Sequence, residues 1–346
     1  MSPPAVASLV QRVFQRLSVT ELRSGEQLAG ELAVTRAAVW KAVQQLRELG
    51  VPLDAQASRG YRLANAYGAL DRDAIMNSLR PDDRQRVSAF EVLWSVPSTN
   101  DYLLGLAPPE PGCVQVAVAE RQTAGRGRRG RAWLAPPGGA ICLSLSWTFA
   151  ELPKDVAALA LAIGVATQRA LKSCDAAGIR LKWPNDLVTA RGKLGGILLE
   201  LRAEATGVAN VVIGVGINVA LQPKDRAAIE SAGGVADDLL ATVEAGQEVS
   251  RNRVVGALLT ECMAGLLEFQ SRGFAEFHAL WRELDCLRGA EVIVVRGDET
   301  FSGLARGTDS HGQLLVETPN GRIMPFSSGE VSVRRSRGEE GGWQSY

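Results

Sequence analysis

Histidine is almost absent from this chain of 346 residues, which contains only His278 and His311. A Ser-His-Asp triad or a histidine-rich zinc site therefore has almost nothing from which to be built. The five cysteines are odd in number and include no Cys-x-x-Cys pair, which disfavours a disulfide framework and favours a reducing compartment. These shortages predict chemistry that depends on lysine, arginine, aspartate and backbone amides.

Long apolar runs and net charge are missing as well. No stretch of 18 or more apolar residues occurs, and the first 17 residues do not resemble a signal peptide. We therefore expect a cytoplasmic protein with no membrane partner. The 38 Lys and Arg residues balance 38 Asp and Glu residues, which argues against a protein that coats nucleic acid with its whole surface. One small DNA-binding domain remains compatible with that balance.

Hydrophobic spacing and turn residues divide the chain into three predicted domains, 1–64, 75–284 and 285–335. In the first, apolar residues follow the inner faces of two short helices, and Thr35 and Gly50 are placed to begin and end the second of them. A predicted hairpin follows at 51–63. Two helices, a tight turn and a hairpin predict a winged helix-turn-helix.

The second helix of this predicted domain would expose side chains able to reach phosphates and base edges in a major groove. These side chains are Arg36, Trp40, Lys41, Gln44 and Arg47, and the wing would add Arg59 and Arg62. A small helical packing domain with solvated charges explains the same pattern equally well, because helix pairs are common.

The middle region interleaves predicted strands and helices without strict alternation, which favours a mixed sheet and an α+β fold. The predicted strands span 90–96, 113–120, 140–149, 179–183, 195–202 and 210–218, and the predicted helices 99–106, 156–176 and 251–272. The last region is rich in strands, and its Asn320-Gly321 pair is a strong hairpin signal. We expect a small SH3-like barrel there.

The segment from Gln122 to Trp133 carries four arginines and three glycines in seven consecutive positions. Such a loop can bend freely and bring backbone amides and guanidinium groups to an anion, and arginine suits phosphate. Trp133 could cover a flat ring such as adenine. A solvated basic loop or a nucleic-acid patch is the alternative, but the flanking strands favour a small-molecule phosphate loop. The segment is not a P-loop.

Three further segments could bind a polar ligand, although each alone is a weak signal. Trp183-Pro184-Asn185-Asp186 is a turn that could offer Mg²⁺ a carboxylate, and Lys193 precedes a glycine-containing strand. The glycines of the segment from Gly214 to Asn218 permit close approach of a ligand. Ser98-Thr99-Asn100 could cap a helix or bind a polar head group.

Together these segments resemble the biotin–protein ligase family, in its bifunctional ligase/repressor branch. The motifs Gly-Arg-Gly-Arg-Arg-Gly-Arg-x-Trp, Lys-Trp-Pro-Asn-Asp, Lys-Leu-x-Gly-Ile-Leu-x-Glu and Gly-x-Gly-Ile-Asn occur in the family's order. The segments at 24–28 and 36–41 resemble the branch's helix-turn-helix. The resemblance covers nearly the whole chain and favours DNA binding by the first domain.

The resemblance implies that biotin and MgATP form biotinyl-5′-AMP, which then acylates a lysine of a biotin carboxyl carrier protein. It implies that biotin is held by Ser98, Thr99, Asn100 and Gln122, with Gly196 close to it, and that a loop of Gly125, Arg126, Gly127 and Arg128 closes over it. It implies that the nucleotide faces Arg131 and Trp133, and that Lys193 lies between the biotin carboxylate and the α-phosphate. Asn185, Asp186 and Asn218 would serve the nucleotide or a metal. Asp186 is the candidate Mg²⁺ ligand, and Lys193, Arg126 and Arg128 are the candidate catalytic residues.

The resemblance also implies the partners. These are the carrier protein of acetyl-CoA carboxylase, operator DNA at biotin biosynthesis genes, and a second copy of the chain that pairs on adenylate binding. Family members often have Ser-Pro-x-Gly-x-Asn-Leu after the loop tryptophan. Here the segment from Ala135 to Ile141 lacks that hydroxyl and that amide. The alternatives are a ligase without repressor activity, a lipoate or octanoyl ligase, and a ligand-sensing regulator without catalysis.

Overall fold

The computed structural model describes residues 8–64, 68–203, 209–244, 247, 249–328 and 331–335. Residues 1–7 of the first predicted domain therefore lie outside the described residues. Three groups of elements follow one another along the chain: a helical head with a hairpin, a large mixed sheet with helices, and a small antiparallel sheet. This order confirms the α+β fold class, whereas the domain limits remain predictions.

The head is a three-helix winged helix-turn-helix. Its elements are α1 (Leu9–Arg16), α2 (Gly25–Leu32), α3 (Arg36–Glu48), β1 (Leu53–Gln56) and β2 (Gly60–Leu63). Thr35 caps α3, as predicted, because its hydroxyl accepts a hydrogen bond from the Ala38 amide at 3.2 Å. Gly50 follows the helix with a φ of 95°, a left-handed conformation that suits glycine. The sequence analysis did not predict α1, which supplies the buried Phe14.

Two short helices, α4 (Arg72–Ser78) and α5 (Pro81–Arg86), lead into the central sheet. The strands of that sheet are β3 (Val87–Val96), β4 (Val114–Gln122), β5 (Ala140–Phe149), β6 (Arg180–Lys182), β7 (Asp186–Val188), β8 (Lys193–Ala203) and β9 (Ala209–Asn218). They are ordered β3-β4-β5-β9-β8-β7-β6. Only β3 and β4 pair in parallel among these neighbours, so the sheet is mixed, as predicted. Strand β7 was not predicted. The turn before Asp186 was recognised, but the short strand into which it leads was not.

The helices around the sheet are α6 (Thr99–Leu104), α7 (Leu159–Ser173), α8 (Pro223–Ser231), α9 (Arg251–Arg272) and α10 (Ala275–Leu284). Helix α9 has the predicted bounds, α7 is shorter than predicted, α8 lies in a segment for which a helix without bounds was expected, and α10 was not predicted. Within the described ranges α9 alone is long and apolar enough to cross a membrane. It packs against α7 in the hydrophobic core, so protein already covers much of its apolar surface.

Alternation along the strands separates the core from the site, because neighbouring side chains point to opposite faces of a sheet. On β5 the odd-numbered residues from Ile141 to Phe149 lie in the core with α7 and α9. The even-numbered Cys142 and Ser144 face the other side, where Gly214 and Gly216 of β9 are their cross-strand neighbours. That second face therefore has a floor with almost no side chains.

The last sheet is antiparallel and contains β10 (Glu291–Arg296), β11 (Glu299–Thr308), β12 (Leu314–Glu317), β13 (Ile323–Phe326) and β14 (Val331–Arg335). Its order β13-β12-β11-β10-β14 agrees with the predicted SH3-like barrel. The Trp183 indole donates to the Gly312 carbonyl at 3.0 Å and so ties the central region to this sheet. The head packs on β3, where the Phe14 and Trp94 ring centroids lie 5.3 Å apart.

Candidate active site

A cavity of about 840 Å³ opens on the glycine-rich face of the central sheet. All fifteen residues that the sequence analysis placed around biotin, the nucleotide and the metal line this one cavity. They come from α6, from the strand ends of β4, β7, β8 and β9, and from the loops between them. Leu49 of the head and Val333 of the last sheet also reach the cavity wall.

The floor of the cavity lies at backbone level. A Cβ atom added at Gly216 would stand 2.8 Å from the Trp133 indole, and one at Gly214 would stand 2.6 Å from Asn100 Oδ1. Real Cβ atoms do not approach other atoms so closely, so these positions exclude larger residues unless their neighbours move. The weak glycine signal in the sequence thus corresponds to a surface on which Trp133 and Asn100 rest directly.

A buried polar network occupies one end of the cavity. Gln122 Oε1 accepts hydrogen bonds from the Thr99 amide at 2.8 Å and from the Thr99 hydroxyl at 3.0 Å. The Ser144 hydroxyl lies 2.7 Å from Thr99 Oγ1 and 2.6 Å from Asn100 Oδ1. Ser98 caps α6 and is buried with Thr99 and Asn100. Aligned and desolvated polar groups of this kind can bind a compact polar ring without rearranging.

Lys193 stands at the other end, at the start of β8. Its ammonium lies 2.6 Å from Asp186 Oδ1 and 5.9 Å from the centroid of the Trp133 ring. The Asn218 amide donates to the carbonyls of Lys193 at 3.2 Å and of Asp237 at 3.0 Å, so Asn218 fixes the backbone that carries the lysine. The role in nucleotide binding that the resemblance implies for Asn218 stays a prediction.

The glycine–arginine loop (residues 125–133) folds back on itself along one side of the cavity. The Gly127 amide donates to the Arg131 carbonyl at 2.7 Å, and the Trp133 amide to the Gly125 carbonyl at 2.8 Å. Arg128 is hydrogen-bonded to the Ser328 carbonyl of the last sheet and lies 3.4 Å from Asn185 Oδ1. Burial lowers the pKa of the Arg128 guanidinium, although an arginine remains protonated at neutral pH.

Asp186 is the carboxylate that the sequence analysis offered to Mg²⁺. Across the described ranges no group of three or more His, Cys, Asp or Glu residues is arranged to hold a metal ion. A single carboxylate still fits Mg²⁺, which usually takes most of its ligands from phosphate oxygens and water. Asp186 lies in the cavity, where its carboxylate forms an ion pair with the Lys193 ammonium.

Several residues of the site were given no role from the sequence. Lys182 is the first residue of the Lys-Trp-Pro-Asn-Asp motif, and it lines the cavity. Ser144 and Glu200 lie 44 and 100 residues from Asn100 in the chain and reach it only because helix α6 packs on the sheet. The altered segment after Trp133 forms an apolar wall, since Ala135 and Ala140 are buried beside Cys142.

Comparisons with known proteins give the same assignment. The sequence pattern of the biotin/lipoate A/B protein ligase family matches residues 92–218, an HTH domain pattern matches 10–62, and the biotin protein ligase C-terminal domain pattern matches 289–334. The bifunctional ligase/repressor BirA of Salmonella typhimurium is 36% identical over 91% of this chain and 94% of its own length. This chain belongs to the biotin protein ligase family.

Two further relatives of the ligase family support the central region. The biotin–[acetyl-CoA-carboxylase] ligase of Paracoccus denitrificans is 34% identical over 65% of this chain and 92% of its own length. The solved structure of the Aquifex aeolicus biotin protein ligase in complex with biotin and ATP superposes with a TM-score of 0.59. That structure is 28% identical and covers 72% of this chain and all of its own.

The predicted DNA-contacting residues of the head are mostly exposed. Arg36, Trp40 and Lys41 are exposed on α3, Gln44 is half-buried, and Arg59 is exposed at the tip of the hairpin. Trp40 is 54% exposed, which is unusual for a side chain of that size. Arg62 is instead paired with Asp54 across the hairpin at 2.9 Å.

Proposed function

We propose that this chain activates biotin with ATP to biotinyl-5′-AMP, transfers biotin to a lysine of a carboxylase carrier protein, and represses transcription through its head. The observation that carries the proposal is that fifteen residues from four separate segments surround one cavity, with uncharged polar side chains of the Thr99–Gln122 network in one part of its wall and lysine and arginine side chains in another. That division matches a ligand with an uncharged ring and a carboxylate that must meet a phosphate.

The chemistry follows from charge. The biotin carboxylate oxygen attacks the α-phosphorus of ATP, the P–O bond to pyrophosphate breaks, and both reacting groups are anions. Lys193, Lys182 and Arg128 line the cavity and can neutralise charge that accumulates on the α-phosphate. No general base is needed, because the carboxylate is already ionised at neutral pH. Mg²⁺ on the ATP phosphates would neutralise further charge, with Asp186 as the carboxylate able to hold it.

The same cavity suits retention of the adenylate before transfer. The mixed anhydride is open to hydrolysis, so a site that excludes water protects it. The glycine–arginine loop lies along one side of the cavity, with Trp133 on the glycine floor, and closure of this loop over the ligand would exclude water. A carrier lysine then attacks the acyl carbon and AMP leaves.

Biotin-dependent exchange of labelled pyrophosphate into ATP tests this proposal. The wild-type chain should catalyse exchange only when biotin is present, and Lys193→Ala should lose at least about a hundredfold of it. Lys154→Ala is the matched control, because Lys154 is exposed and outside the cavity. Exchange that requires lipoate or octanoate instead would favour the rival acyl ligase. No exchange by folded wild type would leave a ligand-sensing regulator.

The repressor activity rests on the exposed basic face of α3 and on the hairpin tip. Lys41→Ala should weaken operator binding to a similar extent on all sequences and reduce the salt slope of log K by about 1, as for loss of one phosphate contact. We further propose that adenylate binding promotes a homodimer that binds the operator. Sedimentation with and without biotin and ATP tests this step, and a mass that never changes would contradict it.

A further inference from the structure

The glycine–arginine loop is attached to the rest of the protein by an ion cluster that the proposed chemistry does not use. Arg126 pairs with Asp101 of α6 and, at 3.0 Å, with Glu200 of β8. The Arg126 and Asp101 side chains are about half exposed, and Glu200 is 28% exposed. The Arg126 guanidinium group lines the cavity and is about half exposed, so it lies at the cavity mouth and joins the loop to α6 and β8.

Glu200 also belongs to the polar network at the end of the cavity. Its Oε2 accepts a hydrogen bond from Asn100 Nδ2 at 2.8 Å, while its Oε1 contacts Arg126. Asn100 Oδ1 lies 2.6 Å from the Ser144 hydroxyl, and Ser144 contacts Thr99. A single carboxylate therefore connects the position of the loop with the orientation of the Asn100 amide.

The exposure of the cluster determines how strongly it can act. Exposed ion pairs contribute little because water and salt screen them, whereas a pair buried in the core does not open without large cost. Two weak pairs on one arginine can hold a loop and still release it on the timescale of ligand exchange. This is the behaviour that a cover over a reactive intermediate requires.

We propose that Asp101 and Glu200 form an ionic latch on Arg126 that sets how long the acyl adenylate stays in the cavity before transfer. Asp101 and Glu200 are positioning residues in this account, since they act through the loop and touch no reacting atom. The inference rests on the proposed function for the identity of the ligand. The latch consists only of side chains of this chain, so its hold on the loop can be tested without any ligand.

The isosteric variants Asp101→Asn and Glu200→Gln remove the charge and keep the shape. Glutamine at 200 can still accept from Asn100, so it separates the latch from the polar network. Trypsin should cleave after the loop arginines about two- to fivefold faster in each ligand-free variant, and about tenfold faster in the double variant. Labelled adenylate formed in the site should dissociate faster by similar factors. In Asp101→Asn, which leaves the polar network intact, the rate of adenylate formation should change less than about twofold.

Asp175→Asn is the matched control, because Asp175 forms an equally exposed pair with Arg253 at 3.0 Å away from the cavity. It should leave loop cleavage and adenylate release unchanged. Wild-type cleavage rates in both Asp101→Asn and Glu200→Gln would overturn the latch, even if exchange assays succeed. Faster cleavage with unchanged adenylate release would overturn its role in retention. A wild-type chain that makes no adenylate would refute the ligase function while the cleavage result still decides the latch.

Discussion

The molecule uses arginine–carboxylate pairs in two contrasting places. At the cavity mouth Arg126 meets Asp101 and Glu200, with the Arg126 and Asp101 side chains about half exposed and Glu200 less so. In the core Arg251 meets Glu120 at 2.7 Å, and its own side chain has no exposed surface. The chemistry of the two clusters is the same and the dielectric surroundings differ, so the energies of the two clusters should differ too.

The buried cluster is also the more fully satisfied one. Arg251 donates to the Gly68 carbonyl at 2.8 Å and reaches the Ala140 carbonyl at 3.4 Å. Glu120 accepts from the Leu70 amide at 2.6 Å. The pair therefore clamps the segment that leads from the head to the central region onto β4 and β5, next to the cavity. The buried Arg251–Glu120 pair should therefore stay closed, whereas the Arg126 pairs at the cavity mouth should open and close.

The largest expected effect is a loss of protein stability when the buried Arg251–Glu120 pair is removed. Arg251→Ala leaves the Glu120 carboxylate buried without its cation, and the free energy of unfolding should fall by about 3–5 kcal/mol. Urea unfolding measures this. Arg253→Ala is the control, because Arg253 lies two residues further on with a half-exposed side chain, and it should cost less than about 1 kcal/mol. Equal losses in the two variants would contradict the comparison.

The reactivity of the Cys142 thiol reports locally on the loss of the Arg251–Glu120 pair. Burial raises the pKa of the Cys142 thiol to about 12, and the Arg251 charge opposes that rise. Near pH 8 only about one thiol in ten thousand is then ionised, so alkylation of the native protein is slow. Removing Arg251 would by itself lower the thiolate fraction further. Faster alkylation in Arg251→Ala would therefore report opening of the clamp.

A smaller effect is expected on the floor of the cavity. A methyl group at Gly216 would stand 2.8 Å from the Trp133 indole, and Trp133 belongs to the movable loop. Gly216→Ala should therefore displace the loop rather than strain the core. Biotin affinity should fall by about tenfold, roughly 1.4 kcal/mol, while the urea midpoint moves little. Calorimetric titration measures the first quantity.

Gly30→Ala is the control for this variant, since a Cβ atom at Gly30 meets nothing within 4 Å. It should leave biotin affinity unchanged. A Gly216→Ala protein that binds biotin normally but unfolds much more easily would show that the cavity floor is as rigid as the core, and it would break the comparison.

The two clusters also differ in how far the sequence predicts them. Arg126 lies within a run of glycine and arginine whose composition marks it, and strand alternation brings Gly214 and Gly216 to the same face as Ser144. Local pattern therefore predicts which segments form the site. It does not predict the partners, because Asp101 on helix α6 and Glu200 on strand β8 lie 25 and 74 residues from Arg126 and meet it only in the folded chain.

Arg251 shows the stronger limit. In the sequence it is an ordinary first residue of a helix after the Ser250 cap, a position where a charged side chain normally faces water. Its burial depends on Glu120, which is 131 residues away, and on the segment at 68–70. The bounds of helix α8 were not predicted, for a related reason. Its residues are polar in sequence, and they form a cavity wall only where Asp238 and Arg226 fix the following loop.

The smallest effect, and the sharpest test of the contrast, comes from salt. Raising NaCl from about 50 mM to about 500 mM shortens the Debye length from roughly 14 Å to roughly 4 Å and weakens exposed pairs much more than buried ones. Tryptic cleavage of the ligand-free loop should rise about twofold, and this increase should disappear in the Asp101→Asn, Glu200→Gln double variant. The loss of unfolding free energy caused by Arg251→Ala should not change over the same range, because the Arg251 cluster is shielded from the added ions. If salt weakens both clusters equally, exposure does not separate them. If salt accelerates loop cleavage alone, and only when both carboxylates are present, then exposed ion pairs hold the loop at the cavity mouth and a buried ion pair holds the core.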